Sequence, residues 1–154
     1  MKFRPAVAVL VLATVSASCQ RNSSENGASQ NAREAIIAQE RQALDRYASG
    51  DPLGYAYGAA EDVTYFDHTG AGIRIDGLEA WRRYLDTLQI PPHRYDLVDP
   101  EVQLYGDIGI LTFHWVLLGP DGTPSGRWKA TAVYRLEKGT WRKVHAHWSE
   151  VTGE

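Results

Sequence analysis

The chain has 154 residues, 44% hydrophobic and 23% charged, enough for one domain with a substantial core and too few for two ordinary ones. Its single cysteine, Cys19, excludes an internal disulfide framework and a cysteine-based zinc finger. Sixteen basic against 19 acidic residues give a net charge of -3, and the absence of a basic run argues against nucleic acid as the main partner.

Lys2 and Arg4 precede an apolar run from Pro5 to Ala17. As a helix that run is roughly 20 Å long, too short for a hydrocarbon core of about 30 Å. Basic start, short apolar core and small residues together predict a signal peptide over 1–18. The stretch Val15-Ser16-Ala17-Ser18-Cys19 resembles a bacterial lipobox, which implies a diacylated Cys19 as the new N-terminus. Ordinary cleavage after Ser18, leaving a free thiol, is the alternative. The position of the one cysteine favours the lipid, because an exported protein gains little from a lone thiol. Residues 19–31 hold no large apolar side chain and read as a flexible polar tether. The anchor would be the only membrane contact, on the periplasmic or cell-surface side.

The folded part is expected over 32–152. Ala32 to Ser49 places Ile36, Ile37, Leu44 and Tyr47 at helical spacing. Glu40 falls in the middle of that apolar stripe. Gly50 ends the helix, and Asp51-Pro52 starts a short second helix to about Ala60. A third helix is predicted from Gly77 to Gln89, with Asp76 and Glu79 as a capping box and Leu78, Trp81, Leu85 and Leu88 as the buried face. A short strand covers Val63 to Asp67. Longer strands cover Arg94 to Tyr105, Ile108 to Leu118, Arg127 to Glu137 and Trp141 to Val151, separated by Gly-containing turns. Helices first and strands after predict an α+β fold with an antiparallel meander. Alternation puts Trp128, Ala130, Ala132 and Tyr134 on one face of their strand. In the last strand it puts Val144, Ala146 and Trp148 on one face and Lys143, His145 and His147 on the other. A curved sheet around the N-terminal helices would enclose an apolar pocket.

Ser49-Gly50-Asp51, Val63-Thr64-Tyr65-Phe66-Asp67, Asp76-Gly77-Leu78 and the ending Val144-His145-Ala146-His147-Trp148 resemble the nuclear-transport-factor-2-like superfamily and its SnoaL-like group. Val98-Asp99-Pro100-Glu101-Val102 and the Val-His-x-His ending resemble the association domain of calmodulin-dependent kinase II. The resemblance spans about residues 32 to 152. It implies a cone-shaped, cystatin-like α+β fold and a homodimer, and it leaves the function open, since this superfamily holds isomerases, lyases and hydrolases beside binding and assembly modules.

A more distant resemblance, to ketosteroid isomerase, can be tested position by position. The general-base aspartate of that family matches Asp67 in Tyr65-Phe66-Asp67-His68-Thr69-Gly70. Its two oxyanion donors match Ala43 and Ala132, so the isomerase reaction lacks its donors here. An enzyme reading then rests on Asp67 and His114 as acid/base candidates, with Tyr65 and Glu40 converging on the same pocket. The plain alternatives are a strand-end turn residue for Asp67, a partnered or solvated carboxylate for Glu40 and an ordinary strand histidine for His114. The pair His145 and His147 shares one strand face and would need a third ligand to hold zinc. No such motif is present, so no metal or cofactor is expected. The association domain carries arginines in its pocket, where this chain has Trp115 and Ala132. An apolar pocket with Trp115, Trp128, Tyr134 and Trp148, flanked by Glu40, Tyr65, His145 and His147, suits a small hydrophobic molecule. Small-molecule binding or homo-oligomeric assembly is the favoured reading.

Overall fold

In a computed structural model the described residues are 15–67 and 74–152, with side chains described from residue 26 onward. The first helix, α1, spans Val15–Ala48. It thus continues back through residues 19–31, where a flexible tether is expected, and the side chains around Cys19 lie outside the described set. Within α1, Ile36, Glu40, Ala43, Leu44 and Ala48 are buried, the spacing of one helical face. Gly50 takes φ +96° directly after the helix, a conformation that glycine adopts at no Cβ cost.

Asp51 then caps a short 3-10 helix, Pro52–Ala56, its Oδ1 accepting from the Gly54 amide at 3.1 Å. The expected helix to Ala60 is cut short there. Strand β1 begins at Ala59 and runs to Phe66, because Ala59 already pairs with Lys143. A three-residue strand, β2 (Arg74–Asp76), pairs antiparallel with its end. That pairing takes Asp76 away from the role of helix cap. Helix α2, Leu78–Asp86, starts instead from Gly77 at φ +87° with no side-chain cap, and its buried face is Leu78, Trp81 and Leu85.

Four long strands follow: β3 (Arg94–Tyr105), β4 (Ile108–Leu118), β5 (Pro124–Glu137) and β6 (Thr140–Glu150). They form the expected antiparallel meander, and the whole sheet has the order β2-β1-β6-β5-β4-β3. One pairing departs from the antiparallel expectation: β1 lies parallel to β6. The helices cover one face of this curved, unclosed sheet. Gly109 lets α1 come close, since a Cβ there would meet the end of Ile36 at 2.4 Å.

Two of the sheet's register shifts, on β3 and β6, shape its inner face. On β3, Asp99 (φ +49°) and Pro100 lie between the pairs Val98–His114 and Glu101–Thr112. Two residues therefore oppose one, a bulge, which is where a strand tolerates proline. On β6, Val133 pairs with His145 while Tyr134 pairs with Lys143, so Val144 is the extra residue. This bulge corrects the expected faces. Trp141 and Lys143 point into the core, the phase then slips, and Ala146 and Trp148 continue the inner row.

Candidate functional site

The inner face of the sheet and the two helices enclose a cavity of about 390 Å³, within the usual range for small-molecule sites. Each wall follows from a local pattern. Alternation on β4 turns Trp115 and Leu117 inward, and on β5 and β6 it does the same for Trp128 and Trp148. Helix α2 contributes Tyr84 and Leu85, the segment after it Leu88, and α1 contributes Leu44 and Tyr47. The loop before β3 adds Ile90, Pro91 and His93. On β1 Tyr65 points inward, and Asp67 follows two residues later on the same side.

The rings form a continuous edge-to-face chain. Trp115 meets Trp128 at 5.0 Å and Trp148 at 6.2 Å between centroids. Trp148 meets Tyr55 at 5.7 Å, and Tyr55 meets Tyr65 at 6.2 Å. Tyr65 stacks on Trp81 at 5.0 Å. Such contacts contribute about 0.5–1.5 kcal/mol each beyond area burial, so these walls are mutually braced.

Polar groups are few. The Tyr84 hydroxyl donates to Asp67 Oδ2 at 2.5 Å, and the Tyr65 hydroxyl lies within the influence of the same carboxylate. Burial, reinforced by the Asp67 charge, pushes the Tyr65 hydroxyl well above its ordinary pKa, so it stays protonated. His93 Nδ1 lies 2.9 Å from the Pro91 carbonyl oxygen. A carbonyl only accepts, so Nδ1 carries the proton. Nε2 is buried without a hydrogen-bond partner among the described residues.

Behind Tyr55 sits a second polar cluster, sealed from the cavity. Lys143 and Glu40 are fully buried, with Nζ 2.8 Å from Oε2, an ion pair whose direction falls short of a hydrogen bond. Lys143 Nζ also lies 4.1 Å from the Tyr55 ring centroid. The Tyr134 hydroxyl donates to Glu40 Oε2. Burial first, then the Glu40 charge, holds Tyr134 and Tyr55 well above the ordinary tyrosine pKa. Burial pulls Lys143 down, and Glu40 opposes that pull.

The structure therefore divides the expected site residues. Asp67, Tyr65, Trp115, Trp128 and Trp148 line the cavity. Glu40 and Tyr134 do not; they belong to the sealed cluster. His114, His145 and His147 face the other way. His114 is exposed, because its neighbours Phe113 and Trp115 take the inward positions of β4, so it cannot meet Asp67 in one pocket. His145 Nδ1 is hydrogen-bonded to Thr64 Oγ1 at 2.8 Å on the outer face. Burial, then the nearby His147 charge, lowers its pKa. Phe66 presents its ring to both histidines. Among the described residues no cluster of three or more His, Cys, Asp or Glu side chains is arranged to hold a metal. His68 and the residues after it up to 73 lie outside the described residues.

The sequence reading missed Tyr47, Tyr55, Tyr84 and His93 in the cavity, and Lys143 behind it. Tyr84 was within reach: it lies three residues after Trp81, on the next turn of α2.

The family of the calcium/calmodulin dependent protein kinase II association domain matches residues 32–152. Among solved structures, the chain is similar to a candidate ketosteroid isomerase from Parabacteroides distasonis ATCC 8503, with 34% identity over 76% of this chain and 86% of that one and a TM-score of 0.65. It is similar to the CaMKII hub of S. rosetta, with 29% identity over 77% and 95% of the two chains and a TM-score of 0.63. The association domain of C. elegans CaMKII shares the fold, at 23% identity over 82% and 98% and a TM-score of 0.63. No curated protein matches the chain.

Proposed function

This chain belongs to the calcium/calmodulin dependent protein kinase II association domain family, and on that premise we propose that it is a binding domain whose cavity takes up a small hydrophobic molecule. The observation that carries the reading is the cavity itself. About 390 Å³ is walled by braced aromatic rings, with Asp67 as its carboxylate and His93 as its imidazole. A cavity used only as packing space would be filled by those rings. The ring walls bury an apolar body, and the few polar groups orient it.

Native mass spectrometry of the purified protein tests this directly. A retained organic mass that leaves on denaturation is the expected result. The complementary test is Trp115→Ala, which removes a wall at the meeting point of three rings. It should weaken binding of a hydrophobic dye at least about tenfold, the effect of losing 1.4 kcal/mol. Equal binding by the variant and the original protein would place the ligand elsewhere.

Self-association is a second reading, favoured by the hubs and association domains among the similar structures. The sheet face that carries His114, His145 and His147 is the surface offered for it. The alternative, an enzyme with Asp67 or His114 as general acid/base, keeps Asp67 in the cavity and loses His114, which is exposed on the other face of the sheet. For the N-terminus we infer export and anchoring through a lipid on Cys19, supported by the basic start, the short apolar run and the lipobox-like ending. Incorporation of labelled palmitate that Cys19→Ser abolishes is the expected result, and unchanged incorporation would overturn the anchor.

A further inference from the structure

Two tyrosines of the cavity wall keep a hydroxyl proton that no described residue accepts. Tyr47, on α1, and Tyr55, in the 3-10 helix, both line the cavity, and their rings meet edge-to-face with centroids 5.9 Å apart. The Tyr55 hydroxyl oxygen accepts from Trp148 Nε1 at 2.5 Å. An indole N–H only donates, so the Tyr55 proton is left over. The Tyr47 hydroxyl makes no hydrogen bond among the described residues; burial and the Asp67 charge are what act on it. Tyr47 is only half-buried, and its hydroxyl, unlike His93 Nε2, is not enclosed. Burial pushes both hydroxyls above the ordinary tyrosine pKa, so both stay protonated and act as donors.

The acceptors of the wall are engaged or covered: Asp67 receives the Tyr84 hydroxyl, and His93 Nε2 is enclosed. What the wall still offers is a donated hydrogen, set among aromatic rings that bury an apolar body. A donor that faces a purely apolar molecule loses its water and gains no partner, at a cost to binding. An occupant with an acceptor at that point removes the cost. We propose that the cavity takes an apolar molecule carrying a carbonyl oxygen, an aryl alkyl ketone or ester. Its oxygen accepts from the Tyr47 hydroxyl, with Tyr55 as the second donor of the same wall, and its body lies against Trp115 and Trp148. This rests on the reading of the cavity as a ligand site and adds the functional group by which the ligand is held.

Butyrophenone and its methylene isostere 2-phenyl-1-pentene share a shape and differ in the acceptor. Isothermal titration calorimetry on the full chain gives both affinities, and infrared spectroscopy gives the carbonyl stretch of the bound ketone. A hydrogen bond donated to the carbonyl lowers that stretch from its value in hexane. The expected result is a lowered stretch in the complex and a return toward the hexane value in Tyr47→Phe, which keeps the ring and removes the donor. Tyr47→Phe should also weaken butyrophenone about fivefold, the size of one hydrogen bond, and leave 2-phenyl-1-pentene within about twofold. Adding Tyr55→Phe should bring the loss for the ketone to at least about tenfold. Should the variants fail to fold, the stretch in the unmodified protein decides. A bound ketone absorbing at the hexane value, a lowered stretch that Tyr47→Phe leaves unmoved, or equal losses for both probes would overturn the carbonyl proposal and leave the ligand site standing. Binding of neither probe would overturn the ligand-site reading, and the carbonyl proposal with it.

Discussion

Lys143 and Glu40 carry the largest electrostatic stake of any two residues in the core. Each is fully buried, and an uncompensated charge at that depth costs far more than the pair gains. Lys143→Met leaves Glu40 charged and alone beside the Tyr134 hydroxyl. We expect a loss of about 3–5 kcal/mol in urea unfolding. Glu40→Gln in the same chain removes the stranded charge and keeps an oxygen for Tyr134 to donate to. The double variant should therefore be more stable than Lys143→Met alone by at least about 1 kcal/mol. Additive losses would mean that the two groups do not interact as the 2.8 Å contact implies. His145 gives a pH dependence with a definite sign. Its pKa is lowered in the folded chain by burial and by His147, so the unfolded chain binds more protons in the range just below the ordinary histidine pKa of about 6.5. Its contribution is complete above that value and is lost as pH falls through it. Thermal midpoints should decline on acidification from about pH 7 to 5, and His145→Asn should flatten the decline. An unchanged slope would assign the effect to other groups.

Elements meet through small residues, and one of these meetings has no slack. Gly54 sits in the 3-10 helix against α1, where a Cβ would lie 2.3 Å from Arg46 Cβ and 3.2 Å from the Arg46 carbonyl carbon. Neither atom is the far end of a flexible side chain. Gly54→Ala should cost about 2 kcal/mol or more as the two helices move apart. Arg46→Ala, which breaks the exposed ion pair with Asp51 and removes the guanidinium 5.1 Å from the Tyr57 ring centroid, should cost less, about 1 kcal/mol. The element level is also where the sequence was most and least legible. The helix faces, the Gly50 stop, the Asp51 cap and the four-strand meander follow from periodicity and turn chemistry, which act locally. The Val144 bulge does not. Alternation alone sends Lys143 outward with His145, and only the pairing of β6 with β5 shows that one residue is skipped. A clue did exist: Glu40 in the middle of an apolar stripe demands a cation, and a lysine near an inward tryptophan could supply it. The capping box at Asp76 failed for the same kind of reason, because strand pairing with β1 took that residue first. His114 is the reverse case. Its position between Phe113 and Trp115 already assigned it to the outer face, and strict use of alternation would have removed it from the acid/base candidates of the pocket.

At the scale of the molecule, the sheet is covered by helices on one face only. The other face carries Thr112, His114, Lys129, Thr131, Val133 and His147, with no described element packed over it. Antiparallel sheets tolerate one solvated face, so exposure alone does not require a partner. The composition of this face is what favours one: Val133 and Phe66 are only half-buried among threonines and histidines, a mix of apolar and polar groups suited to contact with a second copy. In a closed two-fold dimer the same patch meets itself, so one substitution enters the interface twice. Val133→Arg would set two like charges against each other across such an axis while leaving the cavity on the opposite face untouched. Sedimentation velocity should show species heavier than the 17.1 kDa chain, and the variant should shift toward the monomer with its dye binding retained. The thermal midpoint of the unmodified protein should also rise with protein concentration, as it does when folded chains associate and unfolded ones do not. A monomer at all concentrations would remove the assembly reading and leave the cavity as the functional feature. A variant that loses both association and binding would show instead that the two faces are coupled through β5, whose inward Trp128 and outward Val133 share one backbone.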